Sequence, residues 1–184
     1  MKNIAFTSLF LLGLIVYSPA EAQTIVEVAQ SDEQFSSLVD AVVAEELVET
    51  LSSEGPFTVF APTNDAFADL PGYATRVLEE NPDALFDVLL YHVVPGEFMA
   101  TDVLGANTLE TALGEDITVD ADAVAVSGAG IVTTDVEASN GVVHVIDTVM
   151  LPPSAQEAAL NLVLTDLRDA LRLYVELMSD LHAS

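Results

Sequence analysis

Near the middle of this chain the spacing of apolar residues changes from helical to strand-like, and that change sets its fold class. In the first half the spacing is helical. Phe35, Leu38, Val39, Val42, Val43, Leu47, Val48 and Leu51 recur with a period near 3.6, with Asp40, Glu45, Glu46 and Glu49 between them. A short amphipathic piece, Thr24 to Gln30, precedes this helix. Ser31 is placed to cap it, with Gln34 three residues on completing a capping box. Gly55-Pro56 stops it. One early strand follows, Phe57-Thr58-Val59-Phe60-Ala61, ended by Pro62. Thr63 or Asn64 then caps a short helix through Leu70. Further helices are predicted around Thr75 to Glu80 and from Pro82, at a first helical position, to about His92.

From Thr108 the spacing is that of strands. Ile117-Thr118-Val119, Val124-Ala125-Val126, Ile131-Val132-Thr133, Val136-Glu137-Ala138 and Val142 to Met150 are short β-rich runs. Ser127-Gly128-Ala129-Gly130 and Ser139-Asn140-Gly141 are the turns between them. Helices first and strands later predict an α+β fold with several short helices around a sheet core.

The two ends read differently. Residues 1–22 have the form of an export signal: Lys2, an apolar run from Ile4 to Tyr17, Pro19, and Ala20-Glu21-Ala22 as a cleavage site. The expectation is a secreted protein, in the medium, at the cell surface or in the periplasm, with no membrane span once the signal is removed. At the other end, Pro152-Pro153 opens a helical extension over residues 154–184. Leu160, Leu164, Leu167, Leu171, Tyr174, Met178 and Leu181 alternate spacings of four and three, an a/d seam of about three heptads. The seam either packs back on its own chain or joins copies into a homo-oligomer. The second case makes the protein a structural or assembly element, the alternative to a binding role.

Charge excludes several partners. The chain carries 30 acids against 4 basic residues, for a net charge of −26. Such a surface repels the phosphates of nucleic acids and anionic lipid headgroups. It suits a high-salt medium, where screening shortens to about 3 Å at 1 M. Lys2 is the sole lysine and lies in the signal, which adds to the expectation of salt adaptation. There is no cysteine, so no disulfide, thiolate nucleophile or Cys-ligated zinc. No G-x-S-x-G, phosphate-binding glycine loop or H-E-x-x-H occurs, so no catalytic residue, cofactor or metal is assigned and no enzyme is expected. Glu115, Asp116, Asp120 and Asp122 are the densest acids but lack a calcium-loop pattern, and strand alternation spreads them.

Three segments in order resemble the fasciclin (FAS1) family. They are Phe57-Thr58-Val59-Phe60-Ala61-Pro62-Thr63-Asn64-Asp65-Ala66-Phe67, then Leu90-Tyr91-His92-Val93-Val94-Pro95-Gly96, then Asn140-Gly141-Val142-Val143-His144-Val145-Ile146-Asp147. The resemblance covers residues 24–153. It implies a β-sandwich or wedge core flanked by helices and an extracellular binding or adhesion module that contacts protein or polysaccharide. It makes Tyr91 and His92 the candidate partner-binding residues, and Phe60, Pro62, Asn64, Gly141, His144 and Asp147 structural residues of the motifs. Alternation in the third segment sends Val143, Val145 and Asp147 to one face and Val142, His144 and Ile146 to the other, with His144 a hydrogen-bonded core residue.

Overall fold

The computed structural model describes residues 23–182, so the export-signal reading of residues 1–22 lies outside the described residues. Three small elements pack first: α1 (Ile25–Ser31), a 3-10 turn (Glu33–Phe35) and α2 (Ser36–Ala44), followed by α3 (Val48–Leu51). Then come β1 (Phe57–Pro62), α4 (Asn64–Ala68), α5 (Gly72–Glu80), α6 (Pro82–Tyr91), β2 (Val93–Pro95) and α7 (Ala100–Gly105). The strand-rich half is β3 (Thr108–Glu110), β4 (Asp116–Asp120), β5 (Ala125–Val126), β6 (Ala129–Ala138) and β7 (Gly141–Ile146), and α8 (Pro153–His182) ends the chain. The fold is α+β, as the change of period predicts.

All seven strands join in the order β2-β1-β7-β6-β5-β4-β3. The second and third strands of that order, β1 and β7, form a parallel pair, with Phe57 opposite Gly141 and Phe60 opposite His144. The sheet curls until its two edges nearly meet, where the Ala112 N–H donates to the Val93 carbonyl at 2.7 Å. This curl makes the wedge.

Alternation along the central strands feeds two apolar clusters. Val59, Ala61, Val143 and Val145 meet Ile25, Phe35, Leu38, Val42, Leu51 and Leu89 on the helical side. Phe60, Val94, Ile117, Val126, Ile146 and Met150 fill the inside of the curl. Both faces of β7 are therefore covered, and all six of its residues are buried.

Four local readings change. The cap between α1 and the 3-10 turn is Asp32, whose carboxylate accepts from the Gln34 amide at 3.1 Å and from the Gln34 side chain at 2.6 Å; Ser31 is the last residue of α1. The capping box belongs instead to Thr24 and Glu27. The long helix after Phe35 is two helices, because Glu46 takes a left-handed φ of 56° between them. The runs at 131–133 and 136–138 are one strand, β6, carried across two register shifts with Asp135 at φ 58°.

The tail helix α8 does pack back on the body, but not through the seam. Ala155 is buried with Ala66, Val88 and Val149, and Ala159 is buried and Leu162 half-buried against Val77, Ala84 and Leu78. Arg76 on α5 bridges to Glu80 at 2.9 Å and to Asp166 on α8. No helix among the described residues is long and apolar enough to cross a membrane.

Candidate functional site

Two asparagines fasten the helices to the sheet centre. The Asn140 side chain accepts from the Ile25 amide at 3.0 Å and donates to the carbonyls of Leu51 (2.8 Å) and Ser53 (3.1 Å). Asn64 accepts from the Ser37 amide at 2.9 Å and donates to the Glu33 carbonyl at 2.8 Å and the Ser36 hydroxyl at 2.9 Å. Thr63, not Asn64, caps α4. Gly141 must lack a side chain, since a Cβ there would drive into the Phe57 carbonyl of the paired strand. Pro62 closes β1 opposite Ile146. Asp147 accepts from the Gly130 amide (2.9 Å) and the Thr148 hydroxyl (3.0 Å), tying the end of β7 to β6.

His144 is fully buried and stacks on Phe60, with ring centroids 5.5 Å apart. Its Nε2–H donates to the Phe98 carbonyl at 2.9 Å, and its Nδ1 accepts from the Asp135 amide at 3.3 Å. The Asp135 carboxylate then accepts from the Ala100 amide at the start of α7 at 2.7 Å. His144 thus links the β6 bulge to the Phe98 loop.

Tyr91 and His92 end α6 and turn inward, 3% and 2% exposed. Neither side chain reaches a partner at the surface in this conformation. The Tyr91 hydroxyl donates to the Asp116 carbonyl at 3.2 Å and lies 3.3 Å from the Ser127 hydroxyl. His92 Nδ1–H donates to the Val88 carbonyl at 2.7 Å, and Nε2 accepts from the Met150 amide at 3.0 Å. Burial lowers its pKa to about 4, with the Val88 hydrogen bond opposing weakly, so the ring is neutral at neutral pH. All four ring nitrogens of His92 and His144 have backbone partners. Among the described residues no group of three His, Cys, Asp or Glu could hold a metal ion.

The groups held by Tyr91 and His92 surface together. Ser127, and Val149 and Leu151 on either side of Met150, line an open groove with Leu70, Tyr73 and Leu160. Tyr73 is half exposed. Asp69, Thr148 and Gln156 add polar groups to an otherwise apolar lining. Ser127 sits at a left-handed φ of 46°, a conformation that costs a non-glycine residue about 1 kcal/mol or more, and is held there by its hydrogen bonds to Thr118 and by Tyr91. Sequence reasoning singled out the two residues beneath this groove and missed the groove itself. Tyr73 follows a Pro-Gly turn and gives no periodic signal, and Ser127 reads only as a hairpin residue.

The seam residues Leu160, Leu164, Leu167, Leu171 and Tyr174 are each more than half exposed, and Met178 is 37% exposed. The Leu181 side chain lies outside the described residues.

A family model for the Fasciclin domain matches residues 33–152. Protein sll1483 of Synechocystis is 48% identical over 175 residues, covering 83% of this chain and 97% of its own length. Transforming growth factor-beta-induced protein ig-h3 of Sus scrofa is 39% identical over 156 residues, covering 83% of this chain but only 22% of its own length. Among solved structures, a FAS1 domain pair from the insect cell adhesion molecule fasciclin I superposes with a TM-score of 0.55 at 19% identity, covering 72% of this chain and 52% of that one. That last likeness is one of fold.

Proposed function

The chain belongs to the fasciclin family, and from that premise we propose that it is an extracellular binding and adhesion module whose contacts are made in the groove above Tyr91 and His92. The observation that carries this reading is the shared anchorage. The family's Tyr-His segment points away from solvent, yet its hydrogen bonds hold Ser127 and the Met150 backbone, which shape the groove. An apolar floor with a few fixed polar groups and a half-exposed tyrosine is the composition of a binding site rather than of bare surface. Fasciclin I, one solved structure of this fold, is a cell adhesion molecule, and adhesion is the role proposed here. The ligand is an extracellular protein or polysaccharide, neutral or cationic, since the net charge of −26 turns anions away. No catalysis is part of this reading.

A glycan array and a matrix-protein pull-down, both in molar NaCl, separate the two ligand classes and suppress nonspecific cation binding. Tyr73→Ala should weaken capture at least about tenfold while leaving thermal stability nearly unchanged, since the residue is half exposed. Undiminished capture by Tyr73→Ala would move the contact surface away from the groove.

A further inference from the structure

The face of α8 that packs on the body and the face that carries the seam lie about a third of a turn apart. Ala155, Ala159 and Leu162 serve the first. On the second, Leu160, Leu164, Leu167, Leu171 and Tyr174 are 52–59% exposed, a continuous apolar stripe of a kind that marks an interaction surface. Its alternate four and three spacing fits another helix, because knobs at that repeat enter the holes of a facing helix.

Charge says which helix. In the same heptad register, Asp166, Asp169 and Glu176 occupy c and f positions, away from the seam. The flanking e and g positions hold Val163, Arg168, Ala170 and Val175, with no carboxylate. In a chain of net charge −26, this is a face that a second, equally acidic copy can approach without meeting carboxylates. A cationic partner would find its attraction elsewhere on the molecule.

We propose that α8 pairs antiparallel with α8 of a second copy, with the two-fold axis at Leu171. Leu167 then faces Tyr174 of the other copy, and Leu164 faces Met178. Antiparallel pairing places the two acidic bodies at opposite ends of a seam about 30 Å long, well beyond the screening length of about 8 Å at physiological salt. A parallel pair would set them side by side. The dimer carries two grooves facing separate regions of a matrix, so weak single contacts gain avidity. Leu160 and Val163 border the groove as well as the seam, so the closed seam leaves Leu70, Tyr73 and Ser127 as the groove walls open to a ligand.

Sedimentation equilibrium of the purified protein tests it. We expect a dimer, weakened at least about 100-fold by the double substitution Leu167→Glu and Leu171→Glu, with the circular dichroism and melting of the body retained. The protein has no cysteine of its own, so single cysteines report the orientation. Leu171→Cys should form a disulfide-linked dimer. Leu164→Cys, whose two copies lie about 20 Å apart in the antiparallel pair, should not. A monomer at every concentration and salt, or a dimer indifferent to the two glutamates, overturns the pairing. Crosslinking through Leu164→Cys overturns its orientation. Tyr73→Ala should leave sedimentation unchanged, which keeps failure of the dimer distinct from failure of the groove.

Discussion

His92 couples the candidate site to pH. Its folded pKa of about 4 lies below the ordinary 6.5 because burial penalises the charged ring. Above pH 6.5 the folded and unfolded chains both carry it neutral. Between 6.5 and about 4 the unfolded chain takes up a proton that the folded chain refuses, so stability falls as pH falls. Below that window the loss is complete, on the order of 3 kcal/mol. Protonating the carboxylates acts the other way by relieving self-repulsion. The contrast to measure is therefore between the wild type and His92→Gln, by urea unfolding from about pH 7 to about pH 4.5. The stability gap should narrow by on the order of 2 kcal/mol; a constant gap would assign the acid sensitivity to other groups. Tyr91 and His92 were legible as a pair in the sequence, but their direction was not. A tyrosine and a histidine at a helix end look the same whether they face solvent or a curled sheet, and only the curl supplies the Asp116, Ser127 and Met150 partners. Asn140 shows the same limit, because a turn asparagine gives no sign that its side chain will clamp α1 and the end of α3.

At the scale of elements, α8 is two helices in one. Its first turns are held by the body through Ala155, Ala159, Leu162 and the Arg76–Asp166 bridge. Arg76 also holds the Asp166 carboxyl below its usual pKa, although both groups are exposed and the pair adds little stability. Beyond Asp166 only about four turns remain, a length at which an isolated helix is marginal in water. Amide exchange should therefore be slow around Ala155 to Leu162 at any dilution. From Leu167 onward, protection should rise with protein concentration as the seam closes. The seam was legible because leucines at a strict repeat give a strong signal, whereas the face that touches α5 is mostly alanine and gives almost none. Backbone conformation accounts for the other misreadings. The apolar period runs unbroken across Glu46, yet its left-handed φ ends α2, and Asp135 bends a single strand where the pattern reads as two.

At the scale of the molecule, the acids lie outside the two apolar clusters, so added salt is expected to stabilise the fold by screening their mutual repulsion. The melting temperature should climb as NaCl is raised from about 0.1 to 1 M, where the screening length shrinks from about 10 to about 3 Å. A flat or falling curve would remove the case for salt adaptation. The α+β class and the three motif segments were legible, because each is a local pattern. The joining of β1 to β7 was not, since pairing between distant strands leaves no periodic trace. That parallel pair has a consequence in time as well as in space. β1 is the first strand to be synthesised, and it waits for β7, the last, before it can be joined to the strands from β6 onward. Until then the early helices have no completed surface to bury against, and closing so long a loop slows folding. A nascent chain that ends before Ile146 lacks the strand that joins β1 to β6, so the sheet can be completed only when the third motif arrives.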